Sequence, residues 1–120
     1  MPAKPVWFVV DLAIKPNALP ALETLVRQMV DLTLREQGAL VYEFFLSPDH
    51  SRCTVVEQYA DQAAVLAHLT GPVVQTLVPK ALEHASVERF AIFGDPGPDA
   101  TPILNSLAAT IYPHLHGFTR

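Results

Sequence analysis

Apolar and polar positions along this chain mark out four strands and two helical segments. Val6 to Ile14 (VWFVVDLAI) is rich in β-branched and aromatic residues and stops at Lys15-Pro16-Asn17, which predicts a first strand. Asn17 is placed to cap a helix, with Pro20 tolerated in the first turn because its missing N–H has no intrahelical partner there. Leu22, Leu25, Val26, Met29 and Val30 then recur at the spacing of one helix face, and Glu23, Arg27, Gln28 and Asp31 take the water side. Gly38 is the expected C′ residue. Ala39 to Ser47 and Arg52 to Tyr59 flank Pro48-Asp49-His50-Ser51 and predict a hairpin. Asp61 opens a second helical segment that pauses at Thr70-Gly71-Pro72 and resumes through Val73, Val74, Leu77 and Val78 until Pro79 disturbs it. Ala85 to Phe93 is the fourth strand. The order β-α-β-β-α-β predicts an α+β, ferredoxin-like antiparallel sheet with both helical segments on one face.

Both faces of the strands are apolar. Val6, Phe8, Val10 and Leu12 alternate with Trp7, Val9 and Ala13, and Leu40, Tyr42, Phe44 and Leu46 with Val41 and Phe45. Two helices cover only one face of a four-stranded sheet, so the other is expected to be buried in a homodimer. Residues 1–94 read as the domain. Residues 95–120 read as an extension: a linker, DPGPDATP, then Ile103, Leu104, Leu107, Ala108 and Ile111 at the spacing of a short amphipathic helix or packed arm, expected over the partner subunit or the mouth of a pocket.

Composition narrows the function. A net charge of −4 with scattered Lys and Arg gives nothing to track phosphates, so no nucleic acid is expected as a partner. No stretch approaches the ~20 apolar residues of a membrane span, and the amino terminus has too short an apolar run for a leader, so no membrane partner and a cytoplasmic location are expected. The single cysteine, Cys53, lies in a strand and reads as a buried structural thiol.

The chemistry concentrates between Glu57 and Pro72. Glu57 and Tyr59 share a strand face, Asp61 starts a helix, and that helix carries His68. If the helix folds back over that face, a carboxyl, a phenol and an imidazole meet in a small enclosed acid–base site. Glu57 is either solvated at the sheet rim, paired with a cation such as Arg89, or set in a pocket with a raised pKa. Pairing Pro48 with Ser51 puts Tyr42 opposite Glu57 and Phe44 opposite Val55, making Tyr42, Phe44 and Val55 a pocket floor, with Phe8 and Phe90 as walls. His114 and His116 have no carboxylate or cysteine close in sequence, and no metal site is expected.

Gly38-Ala39-Leu40-Val41-Tyr42-Glu43-Phe44-Phe45, Glu57-Gln58-Tyr59-Ala60-Asp61 and Ala67-His68-Leu69-Thr70-Gly71-Pro72 together resemble the antibiotic biosynthesis monooxygenase family, over about Val6 to Phe93. The resemblance implies a dimeric α+β barrel fold. It also implies oxygenation of a planar aromatic hydroquinone or anthrone by O2 without a cofactor. His68 or Glu57 would be the base and Tyr59 a donor to the developing oxyanion. Two residues depart from the family pattern: Tyr59 stands where Trp is frequent, and Val73 and Val74 stand where many relatives carry a second histidine. The alternatives are an isomerase or tautomerase using the same residues, with Arg89 and Lys80 as the available cations for a phosphorylated substrate, and a non-catalytic dimeric binding domain. Haem degradation fits less well, since Asp11 is the only polar residue inside the first strand and Val73 to Leu77 lacks a histidine.

Overall fold

The first strand of the chain is the central strand of the sheet. In the computed structural model, which describes residues 4–120, β1 (Val6–Ile14) pairs antiparallel with β3 (Arg52–Tyr59) on one side and β4 (Ala85–Phe93) on the other. Met1 to Ala3, the start of the stretch considered above as a leader, lie outside the described residues. β2 (Ala39–Leu46) forms one edge, and β5 (Thr110–Tyr112) runs parallel to β4 at the other, giving the order β2-β3-β1-β4-β5. The fold is therefore the expected α+β, ferredoxin-like arrangement, extended to a mixed five-stranded sheet.

The hairpin register is the one expected: Tyr42 pairs with Glu57 and Phe44 with Val55. Its turn is pinned by Asp49, whose carboxylate accepts hydrogen bonds from Ser47 Oγ, Ser51 Oγ and Ser51 N–H. A bulge at the start of β2 shifts the pairing from Ala39–Tyr59 to Val41–Gln58. Leu40 is thereby turned out and is 56% exposed, rather than sharing the face of Tyr42 and Phe44.

α1 (Leu19–Leu34) differs from expectation at both ends. Asn17 adopts a left-handed conformation, φ 62°, which Asn tolerates better than most residues, and Ala18 takes the cap position with no side-chain bond. Pro20 does sit in the first turn. The helix stops at Leu34, well before Gly38. Gly38 serves instead for close packing: a Cβ there would collide with the Ala64 side chain, and the Gly38 carbonyl accepts from Ala60 N–H at 2.8 Å.

Asp61 caps α2 (Gln62–Thr70) by accepting from Ala64 N–H at 2.8 Å. After Gly71-Pro72 the chain makes a π-helical turn (Val73–Leu77), with Val78 N–H bonded to the Val73 carbonyl, and passes directly into α3 (Val78–Ala81). Pro79 does not break this run, because it falls in the first turn of α3.

The helices lie on the sheet face carrying Phe8, Leu12, Cys53, Val55, Glu57 and Tyr59. Two apolar clusters fill that gap. One joins Leu12, Leu22, Met29, Cys53, Val55, Val73 and Leu77. The other joins Val6, Phe8, Tyr59, Val65, Leu69, Ile92, Ala100 and Leu104. Ala100 and Leu104 belong to α4 (Ala100–Ser106), so the extension packs on its own subunit beside α2 and is core from the start. Beyond Tyr112 the chain is exposed.

The opposite face carries Trp7, Val9, Val41 and Val56, all partly exposed, and Phe45, 56% exposed. It is more polar than the strand pattern suggests: Thr54 Oγ1 donates to Asp11 at 2.7 Å, and Arg52 forms a two-pronged ion pair with Glu88. No described helix is long and apolar enough to cross a membrane.

Candidate active site

Glu57 is a carboxyl on a buried strand face, with a phenol and an imidazole beside it. It is 6% exposed, with Tyr59 two residues on at 0% and His68 above it at 2%. The Tyr59 hydroxyl donates to Glu57 Oε1 at 2.5 Å, and His68 Nε2 lies 3.6 Å from the same oxygen. The second distance is too long for a hydrogen bond. Acid–base contacts in an empty site commonly tighten only when substrate binds.

His68 is held from its other side. Nδ1 faces Glu36 Oε1 at 3.0 Å and Oε2 at 3.2 Å. A carboxylate in that position accepts the Nδ1 proton, so the neutral ring presents the Nε2 lone pair to Glu57. Its faces are packed by Tyr59, with ring centroids 5.1 Å apart, and by Tyr42, edge-on at 5.6 Å. α2 positions His68 in its last turn, and the turn after α1 positions Glu36, whose N–H is fixed to the Thr33 carbonyl.

The electrostatics follow from burial. Desolvation raises the Glu57 pKa from its ordinary value to about 7; the Tyr59 hydrogen bond pulls it down, and the Glu36 charge adds to the rise. Burial lowers the His68 pKa, opposed by the charge and hydrogen bond of Glu36. Burial, followed by the Glu57 charge, pushes both Tyr59 and Tyr42 well above the usual phenol range. Near neutral pH the cluster thus contains an uncharged imidazole, two intact phenols and a carboxyl poised between its two forms. It can accept or donate one proton without solvent.

The predicted residues do not all converge. Glu57, Tyr59, His68 and Tyr42 come together at the seam between the two apolar clusters. Phe44 reaches the site through Tyr42, edge-on at 5.2 Å. Val55 lies in the cluster under α1, one step further. Phe8 packs against Tyr59 at 5.0 Å and Phe90 against Phe8 at 5.7 Å, so these two support Tyr59 from behind. Arg89 pairs with Asp11 across the ladder and lies over the Phe93 ring, on the opposite sheet face, so it forms no ion pair with Glu57. The Tyr59 hydroxyl is taken by Glu57. Cys53 is buried, and its thiol pKa is raised by that burial.

Two residues of the site escaped the sequence reading. Thr33 continues the buried stripe of α1 from Met29 at i+4, and Glu36 follows in the turn beyond the helix end at the i+7 spacing; a polar residue on an apolar stripe was the available signal. Thr33 is 1% exposed, and its Oγ1 has no hydrogen bond of normal geometry, although it sits beside the Tyr42 hydroxyl.

Two hollows among the described residues bear on the site. The larger, about 330 Å³, is lined by Val87 to Ala91 with Leu107, Thr110 and Tyr112, at the β4–β5 edge. None of the acid–base residues borders it. The smaller, about 110 Å³, lies between the end of α1 and the edge strand β2 and is bordered by Thr33 and Tyr42. Glu36, Glu57, Tyr59 and His68 do not border it either; it approaches the cluster through Tyr42, whose ring packs edge-on against His68.

A model of the antibiotic biosynthesis monooxygenase family matches residues 5–80. No curated protein matches the chain by sequence. Among solved structures, MupZ from Pseudomonas fluorescens is similar with a TM-score of 0.84 at 20% identity, over 98% of this chain and 95% of that one. SO0527 from Shewanella oneidensis gives 0.63 at 27% identity, over 74% and 86%. SnoaB from Streptomyces nogalater, described as a cofactor-independent oxygenase, gives 0.68 at 14% identity, over 79% and 96%. The MupZ likeness takes in α4 and β5.

Proposed function

The chain belongs to the antibiotic biosynthesis monooxygenase family, and from that premise we propose that it oxygenates a small planar hydroquinone- or anthrone-type substrate with O2, the substrate supplying the electrons. The observation that carries this reading is the cluster of buried His68, Glu57 and Tyr59 with Glu36 behind His68, in which burial raises the Glu57 pKa to about 7. The description of SnoaB as cofactor-independent agrees with it.

The chemistry asks little more of the protein. His68 Nε2, or Glu57 when ionised, takes a proton from the substrate, leaving an electron-rich phenolate or carbanion. One electron passes to O2, and the radical pair combines to form a carbon–oxygen bond and a hydroperoxide. Loss of the second hydrogen from that carbon, with cleavage of the O–O bond, leaves a carbonyl and releases one water. Both oxygen atoms and all four electrons are then accounted for. Tyr59 orients Glu57, and Glu36 orients His68, so that neither waits for solvent to rearrange. Positioned general-base help of this kind contributes about 10²–10⁴-fold.

A phosphorylated sugar substrate, as an isomerase of that class would take, is disfavoured: the cluster carries two carboxylates, and Arg89 is on the far face. Self-association through the Trp7, Val9, Val56 face is part of the same proposal, since it would bury partly exposed apolar residues.

The test is oxygen uptake by metal-stripped protein with hydroquinones and anthrones. Uptake above autoxidation that collapses in His68→Ala and Glu57→Gln supports the reading. No uptake across the panel, or uptake indifferent to both substitutions, sinks it.

A further inference from the structure

His68 and Glu57 are buried, so any molecule that reacts with them needs a way in. Four groups are set against the imidazole: Glu57, Tyr59, Glu36 and Tyr42. Only Tyr42 among them also borders the hollow between the end of α1 and β2. Tyr59 is backed by Phe8 and has nowhere to go. Glu36 guards Nδ1, the nitrogen that carries the proton, so its side of the ring gives no route to the Nε2 lone pair.

Tyr42 is the most loosely held of the four. It lies on the edge strand β2 just after the bulge, with a ladder partner on one side only. Its hydroxyl lies beside Thr33 Oγ1 without a hydrogen bond of normal geometry between them, so Thr33 does not anchor it. Its ring contacts are edge-on ones, to His68 at 5.6 Å and to Phe44 at 5.2 Å. A strand residue has two common staggered positions for its side chain, so a second one is open to the ring. An apolar cavity of about 150 Å³ holds a benzene ring, and a hollow of about 110 Å³ with an open rim can take a phenol ring whose hydroxyl stays in water. Leu34, exposed at that rim, offers apolar surface for the ring to rest on.

We propose that Tyr42 is the gate of the acid–base cluster: its ring swings into the hollow between α1 and β2 and vacates a ring-sized slot against His68 and Glu57. The hollow is then the space the gate opens into, and the slot is the way to Nε2. Closed, the ring keeps water from the imidazole. The proposal concerns access alone and does not depend on the oxygenase reading.

The test is carbethoxylation of histidines by diethyl pyrocarbonate at neutral pH, with no substrate, mapped residue by residue by mass spectrometry. The reagent attacks an unprotonated imidazole nitrogen, and the exposed His50, His114 and His116 serve as internal references. In wild type His68 should react on the order of a hundredfold more slowly than they do, because the gate is mostly shut. Tyr42→Ala should raise the His68 rate about tenfold and leave the references unchanged. Val30→Trp, which fills the hollow, should lower it about fivefold below wild type. Leu69→Ala loosens the helix that carries His68 from within the other apolar cluster, and should leave the rate within about twofold. If Val30→Trp does not fold, Tyr42→Phe takes its place: it keeps the ring, and His68 should react no faster than in wild type. Four results would each overturn the gate. They are a His68 rate unmoved by Tyr42→Ala, a rise in Leu69→Ala as large as that in Tyr42→Ala, a folded Val30→Trp that reacts like wild type, and a Tyr42→Phe that reacts as fast as Tyr42→Ala.

Discussion

Glu36 Oε1 lies 3.0 Å from His68 Nδ1, joining the turn after α1 to the last turn of α2 across 32 residues of chain. That contact decides which ring nitrogen is free. With Nδ1 committed to Glu36, the lone pair on Nε2 is aimed at Glu57 and at whatever displaces it.

Glu36→Gln should therefore separate orientation from charge. Glutamine can still accept from Nδ1, but it removes the negative charge that props up the His68 pKa against burial. His68 should titrate at lower pH than in the wild type, with turnover reduced about tenfold and KM little changed. Imidazole NMR across pH, alongside steady-state rates, checks both halves. An unmoved His68 titration would show that Glu36 does not act on the ring.

Glu57 makes a prediction about stability. Its folded pKa, about 7, lies above the ordinary 4.5. Below pH 4.5 both folded and unfolded states hold the proton, and the group is neutral in its effect. Between 4.5 and 7 the folded state binds more protons than the unfolded one, so stability falls as pH rises, and the loss is complete above 7. His68 slopes the other way at acid pH, because its folded pKa is lowered. Comparison with Glu57→Gln cancels that shared contribution. The variant should match wild type near pH 4 and exceed it by on the order of 3 kcal/mol at pH 8 in urea unfolding. A pH-independent difference would mean that Glu57 keeps an ordinary pKa.

What the chain disclosed was what is local. The limits of β1, β3 and β4 follow from β-branched runs ended by turn residues, and the Tyr42–Glu57 pairing follows from the hairpin turn. The partners of His68 are not local. Glu36 could be suspected only from its spacing from the buried stripe of α1, past the helix end, and nothing near it in sequence says that α2 will set an imidazole over it. Leu40 was misplaced because a bulge shifts alternation by one residue and leaves no mark in the pattern. β5 has three residues, too few for a period to register, and owes its existence to the parallel ladder on β4. In the sequence Asn17 and Gly38 look like helix punctuation; one is a left-handed turn residue and the other a close contact.

The face opposite the helices offers a test of self-association. Val9 pairs with Val56 near its middle, both partly exposed. If that face is an interface, wild type should elute and scatter at twice the chain mass, and Val9→Glu should reduce it to the mass of one chain with an unchanged far-UV spectrum. A monomeric wild type at high micromolar concentration would remove the dimer from the proposal.

The extension divides into a part that the fold needs and a part that it does not. Leu104 is 0% exposed and shares a cluster with Tyr59, which in turn holds Glu57. Leu104→Ala should cost about 2–5 kcal/mol, the range for a leucine cavity in a packed interior. The cavity would open behind Tyr59, so the Glu57 hydrogen bond should loosen too, and turnover should fall more than the unfolded fraction explains. Removing residues 113–120, where Leu115 is 96% and Phe118 82% exposed, should change stability by less than about 0.5 kcal/mol. Urea unfolding of the two variants side by side makes the comparison. Equal effects would mean that α4 is not the structural element its burial indicates.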